Sequence, residues 1–194
     1  MVVKYHYLHR KASCSIAYGA YVDGKLIGVC MFGTPASPSV CSGLCGPGEK
    51  YHILELTRLW ISDSIGNYPE STLIAGSLKL LRDSPYASKD IIISYADTSQ
   101  GHIGTIYQAT NWYYLGLSSK HVEYRVEGMS GHSRHYFDSL GGVSKAKEIL
   151  GNKISVSERP RKHRYLFINT KCRKRKRAIL NELRYTIEPY PKQK

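Results

Sequence analysis

Asp97, Ser99, Gln100 and His102 fall within six positions, directly after the apolar run Ile91–Tyr95. A carboxylate, a hydroxyl, an amide and an imidazole delivered to one spot by a buried strand can orient an amine and take its proton. Tyr107 adds a phenol that can protonate a leaving group if held in a dry pocket. Plainer readings stand beside these. Thr98 or Ser99 could cap the following helix, and Tyr107 could be one more core aromatic in a chain with 16 tyrosines. A helix starting near His102 would also turn unpaired N–H groups toward an anion.

Glu55 and Arg58 form a second polar cluster, inside the β-prone run Leu54–Ile61. Unbroken strand alternation puts Glu55, Thr57 and Leu59 on one face and Leu56, Arg58 and Trp60 on the other. The two charges then need separate partners, because an unpaired buried charge costs several kcal/mol. Arg58 could pair with a neighbouring strand or offer its two-pronged guanidinium to a phosphate or carboxylate.

Residues 159–177 hold ten of the 28 Lys and Arg and no acid. They are Arg159, Arg161, Lys162, Arg164, Lys171, Arg173, Lys174, Arg175, Lys176 and Arg177. Of the net charge of +13, only about +3 remains without them, so the excess is local. A local basic patch is the footprint of a polyanion partner. The strand-like interruption Tyr165–Ile168 makes this segment part of the fold rather than a charged tail. Arg134, between His132 and His135, is a candidate for the same role, against a plain reading as a polar loop.

The elements that would carry these residues follow from pattern. Asp23-Gly24 between two β-rich runs, Ser15–Val22 and Leu26–Phe32, is a hairpin signal. Gly33–Gly48 reads as a long loop, and Tyr51–Ile61 as a strand. Glu70–Leu81 has helical spacing at Leu73, Ile74, Leu78 and Leu81. After the Ile91–Tyr95 strand come a helix over about Ile103–Thr110 and a strand over Trp112–Leu117. Further on, Glu123–Val126, Ile154–Val156 and Tyr165–Ile168 read as strands and Ser144–Leu150 as a helix. A front hairpin followed by alternating strands and helices indicates one α/β or α+β domain spanning residues 1–194.

With 42% hydrophobic residues the chain is an ordinary globular one, not a mainly disordered one. It has no apolar run of about 18 residues and no signal-peptide pattern at its N-terminus, so a cytoplasmic protein without a membrane partner is expected. Five irregularly spaced cysteines read as reduced thiols. Cys41 and Cys45 with His52 make at most half of a four-ligand zinc site, and no metal is expected.

In order, "ELTRLWI", "ESTLIAGSLKLL", "IIISYAD" and "GTIYQATNWYYLG" resemble the GNAT (Gcn5-related N-acetyltransferase) fold, a mixed, mostly antiparallel sheet flanked by helices. More narrowly, "FGTP" (32–35), "ELTRLW" (55–60), "YADTSQGHIGTIYQATNW" (95–112), "KHRYLF" (162–167) and "PYPK" (189–192) resemble the bacteriophage Mom family over nearly the whole chain. That resemblance implies an enzyme, a transferase that adds a methylcarbamoyl (carbamoylmethyl-type) group to the exocyclic amine of adenine in phage DNA, shielding it from restriction. It also places the family's functional residues on Arg58, Ser71, Asp97 and Tyr107.

The wider superfamily grips the pyrophosphate of acetyl-CoA with a glycine-rich loop. Here that place reads Ser62 to Ser71, with one glycine and the acids Asp63 and Glu70, which make a poor cradle. The donor is therefore an unidentified activated acyl or aminoacyl carrier; acetyl-CoA stays open without its loop motif. The expected partners are double-stranded DNA and, secondarily, a second copy of the chain. Two other readings remain: a GNAT-type N-acyltransferase acting on a protein or small-molecule amine, marked by tight CoA binding, and a non-catalytic nucleic-acid-binding protein, in which Asp97→Ala would leave DNA binding and effect intact.

Overall fold

Asp23 and Gly24 both take positive φ, 49° and 75°, the backbone a two-residue hairpin turn needs. They join β1 (Ile16–Val22) to β2 (Lys25–Gly33) as expected. A computed structural model describes residues 12–62, 66, 69–128 and 134–192 of the chain. In it, β1 and β2 continue into a six-stranded sheet of order β1-β2-β3-β4-β8-β5. The further strands are β3 (Ile53–Ile61), β4 (Ile91–Asp97), β5 (Tyr113–Leu117) and β8 (Lys162–Ile168). Every neighbouring pair is antiparallel except β3 and β4. The chain is thus a mixed, mostly antiparallel α/β structure.

Helices cover both faces of the sheet. On the front, α2 (Pro69–Leu81) and α3 (Thr105–Ala109) bury Leu73, Ile74, Leu78, Leu81 and Tyr107 against Leu54, Leu56, Ile92 and Ala96. On the back, α1 (Pro38–Cys45) and α6 (Arg173–Glu182) bury Cys41, Leu44, Cys45 and Ile179 against Ile53, Ile91, Ile93 and Leu166. The odd and even residues of the run Ile91–Ile93 therefore feed different cores, which is why it is apolar without interruption.

Three helices lie where the sequence pattern gives none, one of them the short α4 (Arg134–Ser139) in the stretch read as a polar loop. Another, α1, sits inside the segment read as a loop; Ser37 caps it by accepting from the Ser39 N–H, and Pro38 occupies its first turn. The third is α6, whose mostly charged sequence hides the helical period behind the single buried Ile179.

Between β5 and β8 the chain makes an excursion: β6 (His121–Val126), α4 (Arg134–Ser139), α5 (Val143–Leu150) and β7 (Ile154–Arg159). β6 and β7 pair in their own two-stranded sheet. Val126, Phe137 and Ala146 form a small third core beneath it.

Two irregularities shape the centre of the sheet. β3 and β4 pair only from Ile53–Ile91 to Glu55–Ile93. β3 then follows β2 and β4 follows β8, so the sheet splits open. The second is a bulge in β3. Phe32 faces Leu56 while Met31 faces Arg58, leaving Thr57 as an extra residue. The bulge flips the alternation, so Leu59 and Ile61 join Leu54 and Leu56 against the front core. The expectation that Glu55 and Arg58 lie on opposite faces is overturned: the extra residue brings both to the back, where the Arg58 charge acts on the Glu55 carboxyl.

Candidate active site

Where β3 and β4 part, a cavity of about 520 Å³ opens. Its walls are the ends of the parted strands (Leu59 to Ile61 and Tyr95 to Asp97), Glu70 from α2, and the turn Gly101–Tyr107. Asp97 and Tyr107 both line it. Arg58 and Ser71 do not. Arg58 lies beyond the bulge on the back face, and Ser71 lines a neighbouring groove of about 470 Å³ between α2 and the end of α3.

Asp97 sits at the last position of β4, and its side chain caps the single 3-10 turn Thr98–Gln100, whereas the helix expected to be capped by Thr98 or Ser99 begins after Gly104 with no side-chain cap. Its Oδ1 accepts from the Ser99 N–H at 3.0 Å and the Ser99 hydroxyl at 2.7 Å. Its Oδ2 lies 3.4 Å from Lys162 Nζ on the facing strand. Burial works to raise the Asp97 pKa, but the Ser99 hydrogen bonds and the Lys162 charge outweigh it, so the net shift is downward. The site thus holds a fixed anion with both oxygens partly engaged.

Tyr107 is buried from the side by its stacking partners. Its ring centroid is 5.0 Å from both Trp112 and Tyr165, and its hydroxyl lies 2.8 Å from the Ser94 hydroxyl. Ser94 in turn bonds the Leu56 carbonyl at 3.0 Å. This ties the phenol to both strands flanking the split.

The wall Gly101–Tyr107 is pinned from beneath. Tyr165 donates to the Ile103 carbonyl at 2.5 Å, and Gln108 donates to the Tyr165 hydroxyl at 3.1 Å. Burial pushes the Tyr165 pKa up to about 12, keeping the hydroxyl a proton donor. Gly104 has φ +80°, and a Cβ there would meet the Tyr165 ring at 2.3 Å. Backbone conformation and close approach each require glycine at this position. Nothing in the spacing of the sequence marks Ser94, Gln108 or Tyr165 as supports; only the strand pairing brings them under the wall. The helix itself starts at Thr105, later than His102, and has five residues.

The model of the Mom protein family matches residues 1–192. The chain belongs to that family. It is 28% identical over 190 residues to the methylcarbamoylase mom of Escherichia phage Mu, covering 96% of this chain and 76% of that one. Among solved structures it is similar to a ribosomal-protein-alanine N-acetyltransferase from Brucella melitensis, at 12% identity and a TM-score of 0.43, covering 78% of this chain and 67% of that one. It is equally similar to an N-acetyltransferase from Staphylococcus aureus Mu50, at 10% identity and a TM-score of 0.43, covering 79% and 67%.

The basic residues of this Mom-family chain divide by place. Arg175 forks onto two carboxylates, meeting Asp90 at 2.8 and 2.9 Å and Glu49 at 2.6 and 2.7 Å. Arg164 is buried, with its guanidinium 4.2 Å from the centre of the Tyr185 ring. Arg161 donates to the Ser118 carbonyl at 2.6 Å, and Lys162 pairs with Asp97. These four already hold partners within the fold. Arg159, Lys171, Arg173, Lys174, Lys176 and Arg177 stay exposed. Arg134 begins α4, but its side chain lies outside the described residues, as do His132 and most of the loop Ser62–Tyr68. No helix among the described residues is long and apolar enough to cross a membrane.

Proposed function

We propose that this chain is a DNA-modifying transferase that places a methylcarbamoyl (carbamoylmethyl-type) group on the exocyclic amine of adenine. In a phage-infected cell the modified DNA would resist host restriction, and the protein would work in the host cytoplasm. The reading rests on Mom family membership and on the relative named a methylcarbamoylase. The observation that carries it into chemistry is one cavity at the strand split lined by both Asp97 and Tyr107.

The adenine amine is a weak nucleophile, because its lone pair is delocalised into the ring. Asp97, held ionised by Ser99 and Lys162, orients the amine by accepting one N–H. Tyr107, in its dry stack, gives its proton to the departing group. Arg58 and Ser71 stand outside that cavity, Arg58 on the back face of the split and Ser71 in the neighbouring groove, and from its margins would bind the donor or the developing oxyanion. The donor is an activated acyl or aminoacyl carrier. The target amine is paired within duplex DNA, so the base must leave the stack, while the exposed arginines and lysines hold the backbone with salt-dependent affinity.

Expression in bacteria, followed by digestion of the DNA to nucleosides and mass measurement, tests the reading directly. Added mass on deoxyadenosine is expected. Unmodified deoxyadenosine, with abundant folded protein and a phage-infected control supplying host factors, would sink it.

A further inference from the structure

A second, smaller cavity of about 240 Å³ lies on the back face at the same split. Its lining includes Glu55, Tyr95, Ser119, Arg159 and Lys162, with Ala36 just before α1. Tyr95 also lines the larger front cavity, so the two cavities share a residue of β4. Resting on the DNA-modifying function proposed above, we propose that this back cavity receives the ring of the target base with its amine at the split, that Asp97 orients the amine there from the front and Glu55 takes its proton from the back, while the front cavity holds the donor.

The lining supplies the three kinds of group such a guest requires. At the rim, Arg159 is exposed and carries no acidic partner on its own strand pairing, since it faces His121. A nucleotide's phosphate is the group such a rim attracts. Further in, the ring of Tyr95 offers a flat face for stacking on a heteroaromatic base. Glu55, half-buried, stands at the last paired position of β3 before the split.

Glu55 is also placed to change its protonation state. Burial raises its pKa above the ordinary carboxylate value, against the opposing pull of Lys162, the Ala36 N–H and Arg58. Asp97 moves the other way. A stronger base is a better proton acceptor, so Glu55 suits proton removal and Asp97 suits orientation. The groups facing Glu55 include Lys162 from β8, Arg58 from its own strand, the Cys41 thiol from α1, pushed up by burial, and the Tyr95 phenol from β4, whose pKa burial lifts to about 12, so it stays neutral. Lys162 touches both carboxylates electrostatically, pairing with Asp97 and acting on Glu55.

The step balances simply. The amine nitrogen forms a bond to the electrophilic carbon of the activated donor. The bond from that carbon to its leaving group breaks, and the electron pair departs with the leaving group. The proton displaced from nitrogen moves to the Glu55 carboxylate.

Two measurements on the full chain test this. Glu55→Gln keeps shape but cannot accept the proton; modified deoxyadenosine should fall at least about a hundredfold in a protein that melts no lower than wild type at neutral pH, so the loss is not one of folding. Glu55→Asp, which keeps a carboxylate, should recover part of the loss, as a merely structural role would not. Separately, deoxyadenosine monophosphate titrated into wild-type protein should shift the backbone amide signals of Ala36 and Ser119 before those of Gly104 and Ile106. Glu55→Gln modifying within a few-fold of wild type, or shifts confined to Gly104 and Ile106, would overturn the assignment. A wild type that seats the nucleotide at Ala36 and Ser119 yet adds no mass to DNA would instead defeat the proposed reaction and leave the base pocket standing.

Discussion

At the Ile53–Ile91 end of the β3–β4 pair, the strands are hydrogen-bonded and Arg175 clamps α6 to Asp90 and Glu49. At the other end the same two strands have parted around two cavities, and charged groups there face open space. Both ends contain carboxylates and basic side chains. They differ in whether those groups satisfy one another. Four of the five Arg175 N–H donors meet carboxylate oxygens and its charge faces two acids, so little is left to attract an anion. At the split, Lys162 is shared between two acids and Arg159 stays exposed, so the charges are available. A basic residue in this chain becomes a contact only where the sheet has stopped closing around it.

The sharpest test of that contrast is to exchange effects between the ends. Asp97→Ala should lower modified deoxyadenosine by about 10²-fold or more and cost only about 1 kcal/mol of stability, the loss of its cap on Thr98–Gln100. Arg175→Ala should do the reverse. Leaving Asp90 and Glu49 uncompensated should cost about 2–3 kcal/mol, below the range for a fully buried pair because the Arg175 side chain is 27% exposed. Activity per folded molecule should stay within a few-fold. If both variants lost activity in proportion to stability, the two ends would not be functionally distinct.

Gly104→Ala probes the cavity wall alone. Alanine at φ +80° carries the left-handed penalty, and its Cβ would drive into Tyr165. Together these should cost about 3 kcal/mol, seen as a lower denaturation midpoint. Activity should fall further than stability explains, because displacing Tyr165 frees Ile103 and the wall it anchors.

The contrast between the ends was only half legible in the sequence. The Asp-Gly hairpin, the helix over residues 70–81 and the buried strand before Asp97 follow from local pattern, since each depends on residues close in the chain. Asp97 and Tyr107 could be paired because one strand-turn-helix unit carries both. The bulge at Thr57 could not be seen, because it depends on how β3 meets β2, and a shift of one residue reverses every facing assignment after it. For the same reason Arg175 and Arg159 look alike as letters in one basic run. Only the fold separates them, by bringing Glu49 and Asp90 from far along the chain to one of them.

A smaller effect separates the basic residues themselves. Arg159→Ala should reduce the slope of log affinity for duplex DNA against log salt by about 1, the loss of one phosphate contact. Arg164→Lys should leave that slope unchanged, because the guanidinium is buried beneath Tyr185. Equal slopes for Arg159→Ala and wild type would place the DNA elsewhere.

The finest distinction lies between the two carboxylates at the split, and their stability should respond to pH with opposite signs. Glu55 has a raised pKa in the folded chain because burial disfavours its charge. It contributes most to stability below its unfolded pKa of about 4.3, and that contribution is lost as pH rises through the folded value. Asp97 has a lowered pKa, since its hydrogen bonds and Lys162 prevail over burial. Its contribution is present above about 3.9 and lost as pH falls through the folded value. Melting temperatures of wild type, Glu55→Gln and Asp97→Asn from mildly acidic to neutral pH should therefore diverge in a set pattern. Glu55→Gln should gain on wild type as pH rises, because it no longer buries a charge. Asp97→Asn should lie below wild type by a constant gap that closes only in stronger acid. A Glu55→Gln curve parallel to wild type throughout would mean that Glu55 is as well solvated as Asp97. The split would then hold two fixed anions and no proton acceptor.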